Sequence, residues 1–282
     1  MVKIVKMNGA VDDFNKQKIV RSCVRAGASM EVCSRIADYV EGKVYEGISS
    51  KDILSMIHEQ LKVSGNKDAA VRYKLKDAIS KLDPEIHEFE FFIMRLLRYD
   101  GYDTERSPEP KVQGLCVDHE IDVVARRRKE TVIIECKHHY RDHTFTGLDV
   151  PMRQWARLDD IVGGYKQGTR NSINATSAWV VTNTNYSEHA VRYSKCKHVQ
   201  LLAWNYPYGH GLNEMIENYR AYPLTLIGLT RNERERLVQN NIFNVLDLLD
   251  ADEFLLKRIG FDVSRARRLK SLIERLINPS AK

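Results

Sequence analysis

The chain has 282 residues, of which 43% are hydrophobic and 29% charged, a balance that suits folded globular domains and excludes wholesale disorder. No uninterrupted apolar run exceeds four residues, which excludes a membrane-spanning helix, and the length predicts two domains or three small ones. The net charge of +6 sits at the ends: 15 Lys+Arg against 12 Asp+Glu over residues 1–85, 18 against 18 over 86–222, and 11 against 8 over 223–282, so anionic partners favour the ends.

In chain order, residues 3–14 read as two short extended pieces around Asn8-Gly9, a hairpin signal. Helical patterns follow at Lys16–Ala26, Glu31–Tyr45, from the Ser49-Ser50 cap onward, and Lys67–Leu82, until Asp83-Pro84 breaks the run. An amphipathic helix over 85–99 precedes a polar, Pro-containing loop. Period-two stretches at Val112–Val117, Glu120–Ala125 and Thr131–Cys136 predict strands, with Arg126–Glu130 as a charged turn. A helix over Met152–Gln167, a strand over Ala178–Thr182, a helix over Ser187–Lys195 and a strand over Val199–Ala203 complete a three-layer α/β pattern with a mixed sheet. The last 60 residues are helical, with two Gly-centred turns, at Gly228 and Gly260, each followed by a charged helix.

The start of the chain lacks the apolar core and cleavage site of a signal peptide, and five scattered cysteines form no CxxC. Both point to a reducing cytosol without disulfides or a cysteine zinc site. No Gly-rich Walker loop is present, so ATP hydrolysis is not expected.

One constellation carries chemistry. Glu135 and Lys137 lie two apart on a predicted strand and so share a face, and Asp122 lies on the strand before it. Two carboxylates and an ammonium suit phosphodiester hydrolysis: the carboxylates bind Mg2+ (or Mn2+) and the lysine orients a water. Cys136 packs the other way, its backbone carbonyl available to the metal, and Glu90 on the preceding helix is a third carboxylate. A surface ion pair on a ribbon is the bland alternative. His138, His139 and His143 read as loop or DNA-facing residues, and Asp159-Asp160 as a solvated helix face.

The stretch over about 86–205 resembles the Mrr-like restriction endonuclease family of the PD-(D/E)xK nuclease superfamily. The resemblance rests on Phe89-Glu90-x-Phe92, the Asp122 strand, Ile134-Glu135-Cys136-Lys137, and Val181-Thr182 ahead of Ser187 and Ala190. It implies Mg2+-dependent DNA cleavage by Asp122, Glu135 and Lys137, with Glu90 as helper. Ile121 stands where the superfamily often has Pro, Glu135 where many members have Gln, and Gln154 and Gln167 both compete for the glutamine of the following helix. Nucleases of this class commonly cut two strands as dimers, which implies a homo-oligomer.

Residues 1–82 resemble the ATP-cone domain, through Val5–Gly9, Asp12–Ile19 and Arg72-Tyr73-Lys74. The resemblance implies ATP or dATP as an allosteric ligand, with Lys6, Asn15 and Lys18 as contacts, Asp12 and Ile19 toward base or ribose, and Ser50 toward a phosphate. Met7 replaces a frequent Arg. The C-terminal repeat resembles a tandem helix-hairpin-helix or SAM-like module, whose grip on DNA Arg231, Arg234, Arg265, Arg267 and Arg268 would flank; protein interaction is the other reading.

The expected architecture is therefore a multidomain α+β chain: a mainly helical ATP-cone (1–83), a three-layer α/β/α restriction-endonuclease-like core (84–222) and a small all-α domain (223–282). The expected function is a Mg2+-dependent DNA endonuclease regulated by ATP or dATP. The alternative is a nucleotide-responsive DNA-binding regulator with an inert nuclease fold.

Overall fold

The computed structural model describes residues 2–6, 9–106, 111–141 and 144–278. Met7 and Asn8 of the predicted turn, and His143, lie outside them. The chain forms two compact units, one built from the chain up to Leu75 together with the segment from Asp262, the other from Lys76–Phe261.

In the first unit, β1 (Lys3–Val5) and β2 (Val11–Asp13) form the expected hairpin, Lys3 opposite Asp13. Asn15 caps α1 (Lys16–Arg25), accepting from the Lys18 amide, and α2 (Met30–Glu41) packs beside it. The two-residue strand β3 (Ile48–Ser49) runs parallel to β1 and feeds α3 (Ser50–Val63). The predicted helix over 67–82 is broken: α4 (Lys67–Arg72) stops, and α5 (Leu75–Ser80) starts after a turn at Tyr73-Lys74. Cys23, Cys33, Ala37, Val40, Ile57 and Leu61 fill a core among α1 to α4; α5 past Leu75 belongs to the second unit.

The second unit is built on a mixed sheet. After a 3-10 turn at Pro84–Ile86 come α6 (Glu88–Tyr99), β4 (Asp103–Arg106), and a small ribbon of β5 (Val112–Gln113) with β6 (Asp118–His119). Then follow β7 (Val123–Arg127), β8 (Glu130–Lys137), β9 (Phe145–Thr146), α7 (Asp149–Gln167), β10 (Ser177–Thr182), β11 (Asn185–Tyr186), α8 (Glu188–Lys197) and β12 (Gln200–Leu202). The strand order is β12-β10-β8-β7-β4, with β12, β10 and β8 parallel and β7 and β4 antiparallel to their neighbours. Helices cover both faces, α6 against β4, β7 and β8, and α7 with α8 against β10 and β12. This is the three-layer α/β/α core that the sequence resemblance implies.

Two features were not legible. The Asp103–Arg106 stretch, read as loop, is the sheet's edge strand, and Val112–Val117 is no strand of the sheet but supplies one side of the separate ribbon. The edge position explains the first: of its four residues only Thr104 is fully buried, so no apolar alternation marks it.

Beyond the sheet come α9 (Leu212–Tyr219), α10 (Arg231–Gln239), α11 (Val245–Asp250) and α12 (Glu253–Arg258). These pack on the core: Phe91 stacks on Phe243 with ring centroids 4.6 Å apart, and Arg95 Nε donates to Asp247 Oδ1 at 2.6 Å. The last helix, α13 (Val263–Ile277), belongs instead with the first unit. Buried Arg72 fastens it, donating from Nε to the Ala26 carbonyl (2.8 Å) and from one terminal nitrogen to the Leu276 carbonyl (3.1 Å). Gly27, at φ +88, makes room: a Cβ there would lie 2.4 Å from the guanidinium. The contact grouping thus cuts the chain at 75 and 261, whereas the sequence segments break at 83 and 222.

Candidate active site and nucleotide-binding cluster

The β7–β8 hairpin places the carboxylates. Val123 pairs with Ile134 and Val124 with Ile133, so Asp122, one residue ahead of β7, comes beside Glu135 near the far end of β8. The turn is only Arg128-Lys129, with Arg128 at φ 56; the Arg126–Glu130 turn expected from sequence is shorter because Arg126, Arg127 and Glu130 pair within the strands. Alternation puts Val124, Ile133, Glu135 and Lys137 on the α7 face, where Val124 and Ile133 pack with Leu158 and Ile161. Cys136 points the other way, and burial drives its thiol well above the ordinary range.

Asp122 Oδ2 accepts from the Cys136 amide at 2.7 Å, which ties it to the strand carrying Glu135. Burial, then the charges of Glu135 and Glu90, push the Asp122 carboxyl up to about 6, against the opposing pull of the Cys136 amide and Arg157. Glu90 Oε2 is buried without a hydrogen-bond partner. Lys137 forms no side-chain hydrogen bond or ion pair among the described residues, and so is available to a water or an anion.

Among the described residues no three His, Cys, Asp or Glu side chains gather around one point, so there is no preformed all-side-chain metal cage. The donor set still fits a hard divalent cation. Carboxylate oxygens are its natural ligands, and the repulsion from Glu135 and Glu90 that adds to burial in raising Asp122 is what a cation would relieve.

Gln154 and Arg157, one turn apart on α7, complete the cluster. Gln154 is 1% exposed and donates from Nε2 to the Ile133 carbonyl at 3.0 Å. Arg157 donates from one terminal nitrogen to Glu135 Oε2 at 2.6 Å. Between the two candidate glutamines, Gln154 reaches β8, while Gln167 ends α7 thirteen residues later. The sequence reading passed over Arg157; its spacing of three from Gln154 on one helix face was the available signal.

Other candidates are occupied. His138 Nε2 lies 2.9 Å from the Ile79 carbonyl, and its ring packs on Phe89. His139 lies 3.1 Å from Thr146 Oγ1 and its amide donates to Asn183. Asp160 pins the β5–β6 segment. Burial works against its charge, but His119 and the Cys116 and Val117 amides hold it down at about 2. Two arginines expected to flank DNA are engaged within the unit: Arg231 pairs with Asp83 and Glu85, and Arg234 Nε donates to buried Glu88 at 2.7 Å.

In the first unit, Asp12 Oδ2 meets Lys6 Nζ at 2.9 Å and Lys18 Nζ at 3.3 Å. The hydrogen bond from Lys6, then those from the Asp13 amide and Lys18, pull Asp12 down to about 2. Asn15 stands at the N-terminus of α1 as its cap. Val5 pairs in parallel with Ser49, the residue just before Ser50 at the start of α3. Ile19 is 5% exposed and sits in the helical core.

The comparisons agree with this architecture. Residues 2–81 match the ATP cone domain and residues 80–205 match the restriction endonuclease domain, Mrr catalytic type. An uncharacterized protein of Archaeoglobus fulgidus is 34% identical over 183 residues, 65% of this chain and 98% of that one. A second uncharacterized protein of the same organism is 40% identical over 38 residues, 14% of this chain and 81% of its own length. The crystal structure of the protein of unknown function AF1548 superposes with a TM-score of 0.59 at 32% identity, over 69% of this chain and all of that one. The chain carries an ATP cone domain followed by a restriction endonuclease domain, and it shares a family with the 34% identical uncharacterized protein of Archaeoglobus fulgidus. No helix among the described residues is long and apolar enough to cross a membrane.

Proposed function

We propose that this protein is a Mg2+- or Mn2+-dependent DNA endonuclease whose activity or assembly responds to ATP or dATP bound by the N-terminal domain. The reading rests on one observation: Asp122 and Glu135 meet across a β-hairpin, and Lys137 follows on the same face. A divalent ion bound there supplies polarisation of a phosphoryl oxygen and a more acidic water. Asp122 and Glu135 are its hard oxygen ligands, and the Cys136 carbonyl is a further donor. Lys137 orients the attacking water and offsets charge that develops on the phosphate. Glu90 on α6 adds negative charge, which favours a bound cation. In the N-terminal domain Lys6 and Lys18 take the nucleotide phosphates, helped by Ser50, with Asn15 and Asp12 around the rest of the ligand and Ile19 packing in the core.

The test is cleavage by the full chain of supercoiled, branched and single-stranded DNA, and of RNA, in Mg2+ and in EDTA. The expected result is DNA cutting in Mg2+ alone, reduced about a thousandfold or more by Glu135→Ala. Equal cutting by that variant, or none by the parent, overturns the reading and favours the regulator with an inert nuclease fold. If ATP and dATP alter neither rate nor assembly, the regulatory half fails.

A further inference from the structure

A chain of side-chain bonds leaves the catalytic strand and returns to it. The Ile133 carbonyl accepts from Gln154 Nε2, Gln154 Oε1 accepts from Arg157 at 2.9 Å, and the same guanidinium nitrogen donates to Glu135 at 2.6 Å. An isolated, partly exposed ion pair stabilises a fold by only about 0–1 kcal/mol. Burying a glutamine is costly unless its hydrogen bonds are met. Here both ends of a buried glutamine are used, one of them to set the angle of a guanidinium.

Only one terminal nitrogen of that guanidinium is engaged. Among the described residues neither Nε nor the second terminal nitrogen of Arg157 has a hydrogen-bond partner, and the side chain is 24% exposed. A fixed planar edge with two free N–H directions, beside the carboxylates, matches two oxygens of a phosphate. We propose that Arg157 grips a phosphate of the substrate DNA through this free edge, while its engaged nitrogen orients Glu135. The proposal rests on the nuclease reading above and adds a substrate contact to it.

The experiment measures duplex DNA binding by the full chain against salt concentration, in Ca2+ under conditions where the duplex stays intact, beside cleavage in Mg2+. Arg157→Gln, checked for folding by circular dichroism, is expected to bind about tenfold more weakly, with a log–log salt slope shallower by about 1. Arg157→Lys restores the charge but not the planar edge. It is expected to recover the slope and still cut at least about tenfold more slowly than the parent. A parental slope in Arg157→Gln overturns the proposal, as does full-rate cleavage by Arg157→Lys. A parent that cuts DNA while Arg157→Gln keeps the slope leaves the nuclease reading standing alone. A parent that binds no DNA overturns both.

Discussion

Asp12 and Asp122 are the same residue in opposite fields. In the N-terminal unit, two lysines and a backbone amide surround one carboxylate and hold it down to about 2. In the core, burial and two neighbouring glutamates push the other up to about 6. The first cluster has positive charge to spare, which suits an anion such as a nucleotide phosphate. The second has negative charge to spare, only partly offset by Arg157, which suits a divalent cation. The two fields follow from neighbours, not from the aspartates themselves.

The contrast can be broken most directly at the core. Asp122→Asn should lower cleavage by about a thousandfold while making the fold more stable. Above pH about 6 the folded parent carries a carboxylate that burial and its neighbours disfavour, whereas the unfolded chain ionises it freely above 3.8. The Asn variant should therefore gain on the order of 2–3 kcal/mol at pH 8, and the gain should fade as pH drops through 6 toward 3.8, where both states bind the proton. Urea unfolding of both proteins at high and low pH reads this; a less stable variant at pH 8 contradicts the assigned field. Cation affinity of the parent should likewise fall by up to about tenfold per pH unit below about 6, since ligation must displace the Asp122 proton. Mn2+ titrations across that range, with a flat profile as the adverse result, would sharpen the same point.

The cationic unit offers a smaller effect. Arg72→Ala leaves the Ala26 and Leu276 carbonyls without their buried donor. It should cost about 2 kcal/mol in chemical unfolding and loosen α13, seen as faster amide exchange in Val263–Ile277. An unchanged exchange rate would mean that α13 is held by its apolar face alone. The smallest expected change is at Asp12. Asp12→Asn removes the carboxylate proposed to face the base or ribose, and ATP affinity by calorimetry should fall about threefold. A rise instead would show that the carboxylate only restrains Lys6 and Lys18.

Local pattern accounts for much of what the chain displays openly. The N-terminal hairpin, the capped helices α1 and α3, and the β7–β8 hairpin follow from turn residues, side-chain caps and period-two alternation, which act over a few residues. That same alternation put Glu135 and Lys137 on one face before any fold was known. The edge strand at Asp103–Arg106, the break at Tyr73-Lys74 and the two-residue strands were not legible, because too few of their side chains are buried or too few residues are involved to leave a period.

What tertiary packing alone decided is who meets whom across long separations. Gln154 and Arg157 reach β8 only because α7 lies over the sheet. Arg231 and Arg234 pair with Asp83, Glu85 and Glu88, 146 to 148 residues earlier in the chain, Arg234 largely buried and Arg231 still half exposed. The final helix, which the sequence groups with its neighbours in the Gly-centred repeat, is claimed by Arg72 of the N-terminal unit. Helix caps and strand faces are short-range properties that residue types encode directly. The charge on Asp122 and the allegiance of α13 depend on burial and on distant partners, which exist only once the chain has folded.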